Sequence, residues 1–194
     1  MIEQNSPSTC LQRVGQAVAR YIGWRVQVEQ PPPQKCVIIG AYHTSSSDLW
    51  FTLLAMAVLD MKVHWVGKDT LFRAPLGGIF RGLGGIPVNR RQSTDFVERM
   101  TFLFRKKDVF RLAIMPEGTR RKVDYWKTGF YYIALAAQVP VVMGFVDYKR
   151  KVIGLGPSFN PSGDLQADLQ LIREFYANIR GRFPDRQGEI RIRE

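Results

Sequence analysis

Residues 41–50 read AYHTSSSDLW and place one of the chain's two histidines five positions ahead of an aspartate, across a threonine and three serines. An imidazole held at one nitrogen by a carboxylate keeps a defined tautomer, and its other nitrogen can take a proton near neutral pH. Five residues along one regular helix turn the chain by about 500°, which would put His43 and Asp48 on different faces. The pair works as a unit only if His43 lies in a loop and Asp48 in the first turn of the helix that follows. The same ten residues also describe a capped helix start. In that plainer reading Ser46 or Ser47 is the cap, Asp48 favours the helix dipole and His43 packs, and strand-to-helix loops alone favour it. A serine hydrolase fits less well, since no G-x-S-x-G elbow occurs anywhere and serines beside a histidine in sequence do not define an oriented nucleophile.

Two further stretches could bind an anion. In MPEGTRRK, residues 115–122, an apolar run ends in an acid, a glycine turn, a hydroxyl and a basic cluster. Open α/β sheets place ligands at such strand ends. There Gly118 lets the backbone approach, Thr119 and Arg120 can donate to phosphate oxygens, and Glu117 is read as an exposed acid that contacts a hydroxyl or orients Arg120. In GGIPVNRR, residues 84–91, a glycine turn and a short strand deliver Asn89, Arg90 and Arg91 together. Either stretch could instead be a solvated charged turn. Neither a G-x-G-x-x-G nor a Walker A sequence is present, which argues against nucleotide sites of those kinds. His64 alternates with apolar residues in KVHWVGK, has no acid nearby, and reads as structural.

The elements that must position these residues follow from the apolar pattern. CVIIG reads as a buried strand after the rigid PPPQK, and DLWFTLLAMAVLD has helix length and helix formers. A strand at MKVHWVGK leads to a Gly-rich segment whose five glycines and two prolines forbid one long helix, and a polar helix follows from about Ser93 to Lys107. Next come a strand in VFRLAIMPEGTRR, a helix in FYYIALAAQ, and two strands across a basic turn in VPVVMGFVDYKRKVIGLG. The final helix has Asp164 near its start and Gly181 just past its end. Alternating strands and helices predict an α/β fold, a single domain with a mostly parallel central sheet flanked by helices.

The 194 residues, 45% hydrophobic, suffice for one buried core. The net charge of +11 calls for anionic partners, and residues 60–122 hold 14 basic against 6 acidic side chains. Cys10 and Cys36 make no metal-ligand spacing and fit idle thiols in a reducing compartment. No export signal is visible, and the longest nearly uncharged apolar stretch, LWFTLLAMAVL, falls well short of the roughly 20 residues that cross a bilayer. Any membrane contact is therefore expected to be peripheral. Residues 10–28 place Leu11, Val14, Val18, Tyr21, Ile22 and Trp24 near helical spacing, with arginines among the polar positions. This pattern suits either a helix packed on the domain or one lying in a membrane interface, its Trp and Tyr towards lipid.

Taken together, HTSSSD, GGIPVNR, MPEGTR and VPVVMG occur in the order and approximate spacing of the four motif blocks of the glycerolipid acyltransferases. Over about residues 36–147 the chain resembles the 1-acylglycerol-3-phosphate acyltransferase family, and WKTGFYYIALA resembles the helix after the third block. Four blocks in order outweigh the plain helix-cap reading of His43. The resemblance implies an α/β glycerolipid acyltransferase fold and transfer of a fatty acyl group from a thioester of coenzyme A or acyl carrier protein to a hydroxyl. It implies that His43 is the general base and Asp48 its orienting carboxylate, and that Arg90 contacts the acceptor phosphate. Glu117, Gly118, Thr119 and Arg120 would hold the acceptor's glycerol and phosphate, with Asn89 and Lys127 as further candidate substrate contacts. No cofactor or metal is expected, because the thioester is already activated and positioning with base catalysis can suffice.

The expected partners are an acyl thioester donor, an acyl-carrier protein among the possibilities, together with a lysophospholipid acceptor and an anionic membrane surface. No nucleic acid is expected. No counterpart of the long apolar N-terminal anchor of many family members is expected here, so residues 1–30 become the candidate docking segment, 31–194 the acyltransferase domain, and the cytoplasmic membrane face the expected location. Tyr42, Met115 and Arg121 stand where the family often has Asn, Phe and Ser, which opens acceptor recognition to a lyso-aminolipid or another alcohol. A basic RNA- or membrane-surface-binding module is a remote alternative, prompted by FLFRKKDVFR at 102–111.

Overall fold

The computed structural model describes residues 9–88 and 93–193. Seven strands, β1 (Arg25–Val28), β2 (Lys35–Ala41), β3 (His64–Lys68), β4 (Gly85–Val88), β5 (Phe110–Ile114), β6 (Val141–Asp147) and β7 (Val152–Phe159), form one sheet. Its order is β1-β7-β6-β2-β5-β3-β4. All pairings are parallel except the β6–β7 hairpin. The expected mostly parallel sheet is thus present, with β2 at its centre.

Strand alternation sorts the core into two faces. Val37, Ile39 and Ala41 of β2 point to one, where they pack with Leu112, Val141 and Met143. That face is covered by α4 (Ser93–Lys106), α5 (Gly129–Ala137) and α6 (Leu165–Tyr176), which contribute the fully buried Phe104, Phe130, Tyr131 and Tyr176. Cys36 and Ile38 point the other way, to a smaller cluster with Trp65 and Phe72. Here the cover is α2 (Ser47–Val58), a 3-10 turn at Asp69–Phe72 and the short α3 (Gly77–Gly82), as the glycine content of that segment dictates. Burial pushes the Cys36 thiol up to about 12, and both cysteines are free.

The first helix, α1 (Cys10–Tyr21), begins where the Thr9 hydroxyl accepts the Gln12 N–H. It stops well short of the helical span expected over residues 10–28. Gly23 takes φ +70°, a conformation that costs other residues energy, and the Gly23 and Trp24 N–H groups donate to the Arg20 and Ala19 carbonyls in the closing turn. Residues 25–28 then join the sheet as β1, beside β7, because an apolar strand edge was free to pair. The docking segment assigned to residues 1–30 therefore contains a strand of the main sheet. Trp24 also departs from the sequence expectation. It is only 9% exposed and stacks on Phe51 of α2, ring centroids 3.9 Å apart, rather than facing outward with Tyr21, which is 93% exposed.

At the other end the start signal of α6 holds, but the helix closes at Tyr176, five residues before the Gly181 expected just past its end. Asp164 caps α6 by accepting the Gln166 and Ala167 N–H groups, each at 3.0 Å. The expectations placed on Asn89, Arg90 and Arg91 fall outside the described residues. Among the described residues, no helix is long and apolar enough to cross a membrane.

Candidate active site

Three neighbouring strands, β5, β2 and β6, run parallel and end on the same edge of the sheet. Their C-terminal loops carry Glu117, His43 and Tyr148, so one crevice collects side chains from three distant parts of the chain.

His43 lies in the loop after β2, and Asp48 in the first turn of α2. The chain turns between them and the carboxylate reaches back: His43 Nδ1 is 3.0 Å from Asp48 Oδ2. The same oxygen accepts the Ser45 N–H at 3.0 Å, which ties the carboxylate to the loop as well as to the imidazole. Asp48 is 3% exposed, whereas the His43 side chain is 22% exposed. With Nδ1–H committed to Asp48, Nε2 carries the lone pair on a side chain that remains partly exposed. Of the two readings of the serine loop, the His43–Asp48 pairing forms and the side-chain cap does not. Ser46 occupies the cap position without a side-chain cap bond, and the Ser45 hydroxyl instead accepts the Ser47 N–H at 3.2 Å.

Glu117 is not the exposed acid its charged surroundings suggest. It is 5% exposed, and its Oε2 accepts the backbone N–H of His43 at 2.8 Å, turning inward rather than towards Arg120. Burial pushes its carboxyl up to about 7, against the opposing pull of the His43 N–H. Gly118 sits at φ +63°, which suits glycine, and a Cβ there would stand 3.4 Å from Lys127 Cε. The turn thereby brings Lys127 beside the third block. Thr119 Oγ1 lies within 3.4 Å of the Arg121 N–H, and Arg120 donates to Ser46 Oγ across the crevice.

Below His43 an apolar cavity of about 80 Å³ runs between α2 and the sheet. It is lined by Ile38, Met56, Leu59, Ala113, Met115 and Phe145, and also by Tyr42, His43 and Asp48. Burial, and then the nearby Glu117, raise the Tyr42 phenol above its usual value. No group of three potential metal ligands occurs among the described residues. His64 is remote from this crevice: Lys107 Nζ donates to its Nε2 at 3.2 Å, and burial and then that cation lower its pKa, so it packs as a neutral ring.

Three residues of the crevice escape a reading of the sequence. Tyr148 donates to Asp48 Oδ1 at 2.6 Å, Arg182 donates to Ser47 Oγ at 2.7 Å, and Arg186 approaches the Thr44 carbonyl at 3.4 Å. The basic turn before β7 hints at the first; the other two lie more than 130 residues from their partners and carry no local signal.

The crevice brings an imidazole, basic side chains and an apolar cavity side by side, and the chain is similar to proteins of known activity. The human 1-acyl-sn-glycerol-3-phosphate acyltransferase beta is 32% identical over 133 residues, covering 63% of this chain and 46% of that protein. The human alpha form is 31% identical over 130 residues, covering 62% of this chain and 44% of that protein. The chain thus spans less than half the length of these relatives. The crystal structure of the 1-acyl-sn-glycerophosphate (LPA) acyltransferase PlsC from Thermotoga maritima superposes with a TM-score of 0.58 at 17% identity, over 85% of this chain and 74% of that one, which shows a shared fold. The Acyltransferase family profile matches residues 24–143, a stretch that takes in β2, the His43–Asp48 pair, the Glu117 turn and the first three residues of β6. By that match over more than half of its length, the chain belongs to the acyltransferase family.

Proposed function

We propose that the protein transfers a fatty acyl group from an acyl thioester to the free hydroxyl of a lysophospholipid of the 1-acylglycerol-3-phosphate type. The carrying observation is the 3.0 Å bond from His43 Nδ1 to Asp48 Oδ2 in the wall of an apolar cavity, which leaves Nε2 to serve as the base. In this reading Nε2 takes the hydroxyl proton as the oxygen attacks the thioester carbonyl carbon. The carbon–sulfur bond then breaks, and the departing thiolate receives the proton from the imidazolium, giving an ester and a free thiol. Arg120 and Lys127 supply positive charge for the acceptor phosphate, and Arg90 joins them by the motif resemblance. The cavity has the volume of two or three water molecules, so it takes the first carbons of an acyl chain, and the remainder lies at the mouth or parts α2 from the sheet.

The donor in this reading is an acyl-coenzyme A or acyl-carrier-protein thioester, and no cofactor takes part. The acceptor is reached from a lipid surface. The large apolar side chains of α1, Leu11, Val14, Val18, Tyr21 and Ile22, occupy an arc of about 100° and are all exposed, while Gly15 and Ala19 at the edge of that arc pack inward. The helix carries Arg13 and Arg20 and no acid, a pattern that fits an anionic interface.

The test is thiol release from a long-chain acyl thioester with a panel of acceptors: lysophosphatidic acid, a lyso-aminolipid and a simple alcohol. Wild type is expected to prefer the phosphate monoester, and His43→Ala and Asp48→Ala each to lose about 10²- to 10⁴-fold in kcat. Both variants turning over within a few-fold of wild type would remove the mechanism. Preference for the lyso-aminolipid would change the acceptor and leave the chemistry.

A further inference from the structure

The bond from Tyr148 to Asp48 belongs to a chain of hydrogen bonds whose direction is determined. At one end Arg182 Nη1 meets Ser47 Oγ at 2.7 Å, and a guanidinium can only donate. At the other end Asp48 Oδ1 meets Tyr148 Oη at 2.6 Å, and an ionised carboxylate can only accept. Tyr148 therefore spends its single proton on Asp48. Its oxygen, 3.1 Å from Ser47 Oγ, can only accept there, which commits the Ser47 proton to Tyr148. Ser45 Oγ, 2.7 Å from Ser47 Oγ, then donates to it. Every hydroxyl in the network has one consistent role, and both oxygens of Asp48 are held: Oδ1 by Tyr148, Oδ2 by His43 and the Ser45 N–H.

Tyr148 itself is held from four sides. It opens the β6–β7 turn, where the fully buried Asp147 accepts the Lys149 and Arg150 N–H groups at 2.9 and 3.2 Å. Its own N–H donates to the Arg180 carbonyl at 2.9 Å. Trp24 and Phe51 meet its ring edge-on at 5.2 and 5.5 Å. Burial, and next the bond to Asp48, raise the phenol above its usual value, so it stays a donor over the working pH range. Such a scaffold around one hydroxyl exceeds what a surface turn needs.

We propose that Tyr148 is a positioning residue of the acid–base pair. It fixes the Asp48 carboxylate in the rotamer that serves His43, and through Ser47 it links that pair to Arg182 of the C-terminal segment. The proposal rests on the acyl-transfer reading given above for its kinetic consequence, and on geometry alone for its structural one. The residue lies outside the stretch matched by the family profile, residues 24–143.

The test is a double-mutant cycle on the full chain, read by thiol release and by nitrogen-15 spectra of the His43 imidazole. Tyr148→Phe keeps the ring packing and removes only the hydroxyl. The expected result is a fall in kcat of about tenfold with both KM values within twofold of wild type and an unchanged melting temperature. In an Asp48→Ala background the same substitution should change kcat by less than twofold, because the group it acts through is gone. An equal loss in both backgrounds, or no loss in wild type, overturns the proposal. The spectra provide the independent arm: the Nδ1–H signal should weaken or broaden in Tyr148→Phe, and an unaltered signal overturns the proposal whatever the substrate. If wild type turns over no acyl thioester while that signal still responds to Tyr148→Phe, the acyl-transfer reading fails and the positioning role stands.

Discussion

The two faces of the sheet are built to different standards. Under α4, α5 and α6 the aromatic side chains are sealed: Phe104, Phe130, Tyr131 and Tyr176 are at most 2% exposed, and the Tyr131 hydroxyl is bonded to Asp168 Oδ2 at 2.8 Å. Under α2 the helix is half-exposed along nearly its whole length, a cavity lies between helix and strands, and large apolar residues of α1 and α3 face outward. One face holds the sheet together. The other leaves space and apolar surface beside His43, where the acyl-transfer reading proposed above needs it. The contrast gives a division of labour that substitutions can break.

The largest effect on stability is expected from the sealed face. Phe130→Ala, at a fully buried position of α5, should cost about 3–5 kcal/mol. Met56→Ala, on the half-exposed α2 and lining the cavity, should cost less than about 2 kcal/mol while widening the space for the acyl chain. Urea unfolding of both variants, followed by an acyl-length series on the folded proteins, checks the pair. Equal losses from the two substitutions would erase the distinction between the faces.

Glu117, buried and bonded to the His43 N–H, makes stability depend on pH with a determined sign. Its carboxyl titrates near 7 when folded against an ordinary value of 4.5, so between those values the folded protein binds more protons than the unfolded chain. The contribution to stability is fully present below about pH 4.5 and is lost as pH rises through 7. For a group this buried the loss is roughly 3 kcal/mol. Glu117→Gln keeps an oxygen to accept the His43 N–H and removes the titration. The variant should gain on wild type between pH 5 and pH 8 in urea melts; a stability difference constant over that range would show that Glu117 ionises normally.

Much of the architecture was legible in the sequence because its signals are local. Apolar runs, glycine turns and the Asp164 cap lie within a few residues of what they specify, and the His43–Asp48 pair needs only a loop and one helical turn. What escaped depends on which strands become neighbours. Tyr148 reaches Asp48 across 100 residues because β6 pairs with β2, and nothing near residue 148 announces that pairing. The same limit misassigned Glu117, whose charged neighbours imply solvent although its side chain turns under His43, and Trp24, which periodicity placed on the outer stripe of a helix that ends before it. Periodicity did identify that stripe. Only the fold reveals that the small residues at its edge pack while the large ones remain outside.

The smallest stability effect is expected on α1, where that arrangement can be tested directly. Leu11 and Val18 are exposed, so Leu11→Ser with Val18→Ser should leave the unfolding midpoint within about 0.5 kcal/mol of wild type per site. Gly15→Leu, by contrast, places bulk where even a Cβ would stand 3.1 Å from the Val58 backbone nitrogen, and it should lift α1 from α2 and lower stability. If the outer stripe exists for lipid, the serine pair should bind phosphatidylglycerol vesicles more weakly than wild type in sedimentation, by an amount that scales with the apolar area removed. Binding to phosphatidylcholine vesicles should be weaker for every protein, because Arg13 and Arg20 then lack an anionic partner surface. Unchanged vesicle binding in the serine pair would return α1 to the role of a packed helix, and the lipid-facing side of the molecule would have to be sought on α3, where Leu76, Ile79 and Leu83 are also exposed.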